Sequence, residues 1–159
     1  MTIKVGDKMP QGTFKVMGAE GPKDVTSDEL FNGTNVVLFS VPGAFTPTCS
    51  KQHLPSYVNN FDKIKAQGVD TVACTAVNDV FVMDAWGKDQ KAGDKVTMLA
   101  DGDGDYAKKL GLELDLRGKG LGVRGKRWSM VVNNGTVEKL NVDEGKYEMT
   151  GAEATCSLN

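Results

Sequence analysis

The fold is decided by one stretch, Asn35-Val36-Val37-Leu38-Phe39-Ser40-Val41-Pro42-Gly43-Ala44-Phe45-Thr46-Pro47-Thr48-Cys49-Ser50. Asn35–Ser40 is apolar and rich in branched side chains, which predicts a strand. Pro42 and Gly43 mark the exit from that strand. Thr46 and Pro47 then predict a helix start, with Thr46 at the N-cap and Pro47 at the first helical position. From Pro47 to Gln67 the apolar residues Leu54, Tyr57, Val58, Phe61 and Ile64 fall at helical spacing with one buried face, and Pro55 is expected to kink the helix. This register sets Cys49 in the first turn. Unpaired backbone N–H groups and the positive end of the helix dipole there favour a thiolate over a thiol.

Working outward, Gly12–Met17 and Lys23–Thr26 flank the turn formers Gly18-Ala-Glu-Gly-Pro22 and predict an opening hairpin. Ser27–Gly33 reads as one or two helical turns capped by Ser27 and ended by Gly33. Beyond the central stretch, Val69–Val77 predicts a strand, Val80–Trp86 a helix capped by Asp79, Val96–Ala100 a strand, and Asp101–Leu110 a short helix. This alternation argues for an α/β sheet with parallel pairs. Leu116–Gly125 breaks it and reads as a flexible glycine-rich loop. Arg127–Val142 predicts two strands around the turn Asn133-Asn134-Gly135, and Thr150–Leu158 a terminal helix. The expectation is one domain over residues 1–159, with no repeat or low-complexity tract.

The chain has 159 residues, enough to bury roughly two-thirds of its unfolded surface without staples. Lys and Arg number 19 against 21 Asp and Glu, so nothing asks for a nucleic-acid partner. The first ten residues hold no apolar leader, and no stretch approaches the roughly 20 apolar residues of a membrane span. The chain therefore reads as cytoplasmic, an organellar mature form staying open. Three cysteines, Cys49, Cys74 and Cys156, are too few for a secreted disulfide framework, so reactive or buried thiols are expected. With a single histidine, His53, they lack zinc-ligand spacing, so no metal is expected.

A free cysteine is only about 3% thiolate at neutral pH, so full deprotonation gains roughly 30-fold, or about 2 kcal/mol of barrier. Nucleophilic chemistry at Cys49 therefore needs further help. The string Pro42-x-x-x-Thr46-x-x-Cys49 resembles the active-site motif of the peroxiredoxins. The longer run Pro42–Ser50 is similar to their type II, peroxiredoxin-five branch, and so are Cys74–Met83, Ala85–Lys88 and Arg127–Val132. The resemblance runs from about Val5 to the last helix. It implies a thioredoxin-like α/β fold, with a mixed central sheet, flanking helices and an N-terminal hairpin. It also implies a thiol-dependent peroxidase acting on hydrogen peroxide and alkyl hydroperoxides through a cysteine sulfenic acid, with no bound cofactor.

In that reading Cys49 is the nucleophile. Arg127 supplies a permanent charge and a fork of donors, and Thr46 a hydroxyl. Pro42 walls the pocket, and the backbone of Cys49 and of Gly43 and Ala44 helps hold the peroxide. Phe45, Phe81, Met83 and Trp86 resemble residues lining the pocket and a dimer contact, with core packing an alternative for each. Arg124 is a rival to Arg127. The sulfenic acid needs a second thiol. Cys74 matches the resolving position of plant-type members and Cys156 that of animal members, and a third route uses glutathione with glutaredoxin. Thioredoxin is the other candidate reductant, and a homodimer is expected. His53, four residues after Cys49, reads either as a partner of that cysteine or as a polar helix residue. The rival reading of the whole chain is a peroxide sensor or redox-partner protein with little turnover.

Overall fold

The structure, a computed structural model, describes residues 2–143 and 150–156. Strands β1 (Thr13–Gly18) and β2 (Gly21–Thr26) form the opening hairpin. Helix α1 (Ser27–Phe31) follows. Its cap is Thr26, one residue earlier than the sequence suggested: the Thr26 hydroxyl accepts from the Glu29 N–H at 3.2 Å. Ser27 instead accepts from the Gly12 N–H at 3.1 Å and ties the helix to the chain before β1.

Strands β3 (Asn35–Ser40), β4 (Thr71–Ala76) and β5 (Thr97–Ala100) lie parallel, as the alternation requires. Two further strands complete the mixed sheet. The run Trp128–Asn133 pairs antiparallel with β3, and Thr136–Val142 pairs with that run around the Asn134-Gly135 turn. The seven strands stand in the order β2-β1-β5-β4-β3, then Trp128–Asn133, then Thr136–Val142. Because side chains alternate across a strand, β3 sends Val37 and Phe39 into one core and Val36 and Leu38 into another on the opposite face. The first core also holds Cys49, Cys74 and Cys156; the second holds Trp128, Met130 and Tyr106.

The single helix expected from Pro47 to Gln67 is divided. Pro47 and Thr48 are helical, and Cys49–His53 forms one π-helical turn closed by the Leu54 N–H on the Cys49 carbonyl. Helix α2 (Leu54–Asn59) then runs to Asn60, whose φ of −106° separates it from α3 (Phe61–Lys65). Pro55 has no N–H to continue the regular ladder, and a wider turn just before it accommodates that loss. Helix α4 (Val80–Asp89) is capped by Asp79, which accepts from the Val82 N–H at 2.8 Å. Helix α5 (Asp105–Leu110) starts later than expected because Asp101 stays outside it and accepts from the Tyr106 and Ala107 N–H groups.

Residues 116–125 are not a plain loop. Strands β6 (Glu113–Leu116) and β7 (Gly122–Gly125) pair as a separate hairpin beside the main sheet. Its tip turns through Gly118, Gly120 and Gly122, all at positive φ. The strand numbers thus make Trp128–Asn133 β8 and Thr136–Val142 β9. Helix α6 (Ala152–Cys156) lies within the expected terminal helix, whose Ser157 and Leu158 fall outside the described residues. Among the described residues, no helix is long and apolar enough to cross a membrane.

Candidate active site around Cys49

The loop after β3 closes tightly. Phe45 takes a left-handed φ of 65°, and a Cβ on Gly43 would stand 3.0 Å from Arg124 Nη1 and 3.1 Å from Thr46 Cγ2, so a larger residue there would press both side chains aside by a few tenths of an ångström. The Ala44 N–H donates to Asn78 Oδ1 at 2.9 Å, which fastens the loop to the chain leaving β4. That donor is therefore occupied inside the protein, whereas the resemblance implied that this backbone helps hold the peroxide. Arg124 Nη1 donates to the Pro42 carbonyl at 3.2 Å, and its Nε to the Leu121 carbonyl. The rival arginine thus braces the wall of the loop.

Thr46 stands at the helix mouth, and its carbonyl accepts from the Ser50 N–H at 2.9 Å. Its hydroxyl does not cap the helix. It donates back to the Gly43 carbonyl at 2.6 Å, which leaves the oxygen's lone pairs available to accept. Cys49 follows in the π turn and is fully buried. Its neighbour Ser50 accepts from the Trp86 indole N–H at 3.0 Å, binding this turn to α4. Met83 and Trp86 are core residues, whereas Phe45 in the loop and Phe81 on α4 are 54% and 64% exposed.

Arg127 enters from the residue before β8. Its register is set by Ser40 pairing with Trp128, so the end of β8 meets the end of β3 where the Cys49 loop departs. Arg127 Nη2 lies 3.1 Å from Cys49 Sγ. Nη1 lies 2.8 Å from His53 Nδ1, and Nε stands 3.4 Å from Asp143 Oδ2. His53 Nε2 is 3.0 Å from the Thr150 carbonyl, which also accepts from the Tyr57 hydroxyl at 2.6 Å. Burial and the Arg127 charge hold the imidazole down at about 3, so it is neutral at physiological pH. Burial pushes the Tyr57 phenol up, which keeps it a hydrogen-bond donor. Phe39 stacks on Tyr57 with centroids 3.9 Å apart and packs against His53 at 5.0 Å.

The site thus joins a buried sulfur, a guanidinium aimed at it and a hydroxyl at the same helix start. Residues 4–155 match the Redoxin family. A peroxiredoxin-2C of Oryza sativa is 46% identical over 95% of this chain and 94% of its own length. The chain belongs to the peroxiredoxins. It falls in their type II branch, with a thioredoxin-like fold. The chloroplastic peroxiredoxin-2E of Arabidopsis thaliana is likewise 46% identical, over 91% of this peroxiredoxin, which spans 63% of that longer relative. The crystal structure of reduced Prx3 of Vibrio vulnificus in complex with hydrogen peroxide superposes with a TM-score of 0.93, at 46% identity over 96% of each chain.

The structure brings Cys49 and Arg127 together, and it does the same for Thr46 and the Pro42–Phe45 loop. It bonds neither of the other two sulfurs to this group. Cys74 is fully buried in the middle of β4, paired in register with Phe39 and Met98. Burial and the charge of Cys49 push its thiol up. Cys156, on α6, lines a groove of about 480 Å³ with Asn35, Val37, Gly68 and Val69, toward the start of β3 and away from its Cys49 end. Asp143 and Asn78 are what the sequence reading lacked. The spacing of His53 from Cys49 indicated a shared helix face, but the histidine meets the arginine and not the sulfur.

Proposed function

We propose that Cys49 is the sulfur through which this peroxiredoxin works as a thiol peroxidase. Its thiolate attacks the terminal oxygen of a hydroperoxide. The O–O bond breaks, an S–O bond forms, and the alkoxide or hydroxide leaves and takes a proton to become an alcohol or water. Sulfur is oxidised by two electrons to a sulfenic acid. A reductant thiol then forms a mixed disulfide and releases water, and a second thiol returns Cys49 to its reduced form.

The observation that carries this reading is the 3.1 Å contact of Arg127 Nη2 with Cys49 Sγ inside a fully buried setting. The guanidinium balances charge on the sulfur and, with a substrate in place, charge developing on the leaving oxygen. Because Thr46 donates its proton to Gly43, its oxygen is disposed to accept the peroxide O–H and direct the substrate in line. Pro42 and the Gly43–Phe45 turn exclude bulk water. Steady hydroperoxide consumption in the presence of excess thiol reductant tests the assignment. Cys49→Ser should abolish it to the uncatalysed level, and a serine variant that still turned over would overturn the reading.

An external thiol is the resolving partner in this proposal, glutathione with glutaredoxin or else thioredoxin. Three residues of β3 from Val37 to Ser40 span about 10 Å, and a disulfide needs Cα atoms within about 7 Å, which argues against Cys156 without a large rearrangement. Cys74 would have to leave a paired central strand. Mass spectrometry after one equivalent of peroxide should give a lone Cys49 sulfenic acid, and a Cys49–Cys74 or Cys49–Cys156 bond would refute this route. The same proposal makes the protein a cytoplasmic homodimer through the loops around the site, where Phe45 and Phe81 are exposed. Sedimentation showing only monomers in both redox states would count against the dimer.

A further inference from the structure

His53 is a titratable side chain near the sulfur that the peroxide chemistry above does not use. It is fully buried, and both ring nitrogens are engaged. A guanidinium has donors only, so Nδ1 must present its lone pair to Arg127 Nη1. The Thr150 carbonyl has lone pairs only, so Nε2 must carry the proton. The two contacts independently require the same neutral tautomer. Protonation at Nδ1 would set an N–H against an N–H at 2.8 Å.

The consequence for Arg127 is geometric. Asp143 engages Nε at 3.4 Å and His53 engages Nη1 at 2.8 Å, and the planar fork then delivers Nη2 to Cys49 Sγ at 3.1 Å. On its other side the imidazole reaches Thr150, two residues before α6. There the Tyr57 hydroxyl shares the Thr150 carbonyl and lies 3.0 Å from Thr155 Oγ1, which itself donates to Ser129 on β8 at 2.6 Å. The C-terminal segment and the arginine are thus joined through one ring.

We propose that His53 is a positioning residue for peroxide reduction: as the neutral Nε2–H tautomer it orients Arg127 on the Cys49 sulfur and makes that orientation depend on the C-terminal segment at Thr150. The inference rests on the pairing of Cys49 with Arg127 proposed above. Displacing the C-terminal segment removes the acceptor that fixes the ring, and the guanidinium loses one of its two supports. A substrate-independent event at α6 is thereby felt at the sulfur.

The test is the rate of Cys49 oxidation by hydrogen peroxide in single-turnover stopped flow. Four proteins are compared: the native chain, Arg127→Gln, His53→Phe and the double variant. Phenylalanine keeps the ring that packs on Phe39 and removes both hydrogen bonds. His53→Phe should slow oxidation about tenfold, yet in the Arg127→Gln background it should cost less than about twofold, because its effect runs through the arginine. Equal losses in both backgrounds would show a merely structural role and overturn the proposal. So would a His53→Phe rate within about twofold of native when Arg127→Gln is slow. If Arg127→Gln is itself as fast as native, the earlier reading of the site fails, which is a separate result.

Amide exchange over residues 150–156 should quicken in His53→Phe, and unchanged exchange would refute the tie to the C-terminal segment. A variant that does not fold leaves the native protein to decide. Imidazole nitrogen NMR should find Nε2 protonated and Nδ1 bare, without titration between about pH 5 and 8. Among the described residues, Arg127, Tyr57, Thr150 and Phe39 face the ring. The opposite tautomer, or a titration in that range, would overturn the assignment.

Discussion

Cys49 and Cys74 lie in the same core, on the same face of the sheet, and neither is exposed to solvent. They differ in what stands beside the sulfur. Cys49 follows a loop that leaves the end of β3 and receives the guanidinium of Arg127. Cys74 is held inside β4 between Phe39 and Met98, where burial first and then the charge of Cys49 push its thiol up. Burial therefore does not separate the thiol we propose to react from the one we propose to stay silent. The location at a strand end, where a helix mouth and a neighbouring strand's cation converge, makes the difference.

Removing the cation should erase most of that contrast. Arg127→Gln keeps hydrogen-bond donors but not the charge, and should slow Cys49 oxidation by roughly 10²–10³, the usual cost of losing one electrostatic donor at a reacting centre. A native rate in single-turnover stopped flow would break the comparison. Acid unfolding sharpens it next. His53 stays neutral in the fold down to about pH 3 but takes a proton near 6.5 once unfolded. The unfolded chain then binds more protons between those values, and stability falls as pH drops through that window. Between pH 6.5 and 4.5 the loss should be about 2 kcal/mol by urea titration, and His53→Phe should remove that part of the slope.

Thr46→Val preserves shape while deleting the hydroxyl that bonds Gly43, and should slow oxidation about tenfold, measured in the same way. The smallest effect belongs to the other sulfur. Cys74→Ala should leave the oxidation rate within about twofold of native and cost about 1–2 kcal/mol of stability from the space left in the core. A Cys74→Ala protein that lost turnover with an external thiol would make the two cysteines partners after all.

The strand, loop and helix around Cys49 were legible because each part has a local signal: branched residues in β3, Pro42-Gly43 at its end, and Thr46-Pro47 at the helix start. The β8–β9 hairpin announced itself through Asn134-Gly135. The β6–β7 hairpin did not. Its strands are only four residues each, their pairing is exposed, and the glycines that shape the tip look like loop residues in sequence. The π turn was equally hidden, since periodicity cannot separate one inserted residue from a proline kink in a helix of this length. Thr26 displaced Ser27 as a cap because Ser27 found a partner in Gly12, 15 residues away. Long-range pairing also explains the histidine: nothing near residue 53 in the chain points to 127 or 150.

All three cysteines of this peroxiredoxin lie beneath the surface, Cys156 at 7% exposure and the other two at zero. A bulky aromatic disulfide reagent can therefore reach them only during transient openings of the chain. Colour development with such a reagent becomes a clock for those openings rather than a count of thiols, and the three cysteines, one behind the helix mouth, one inside a strand and one by the terminal helix, keep time for different parts of the molecule.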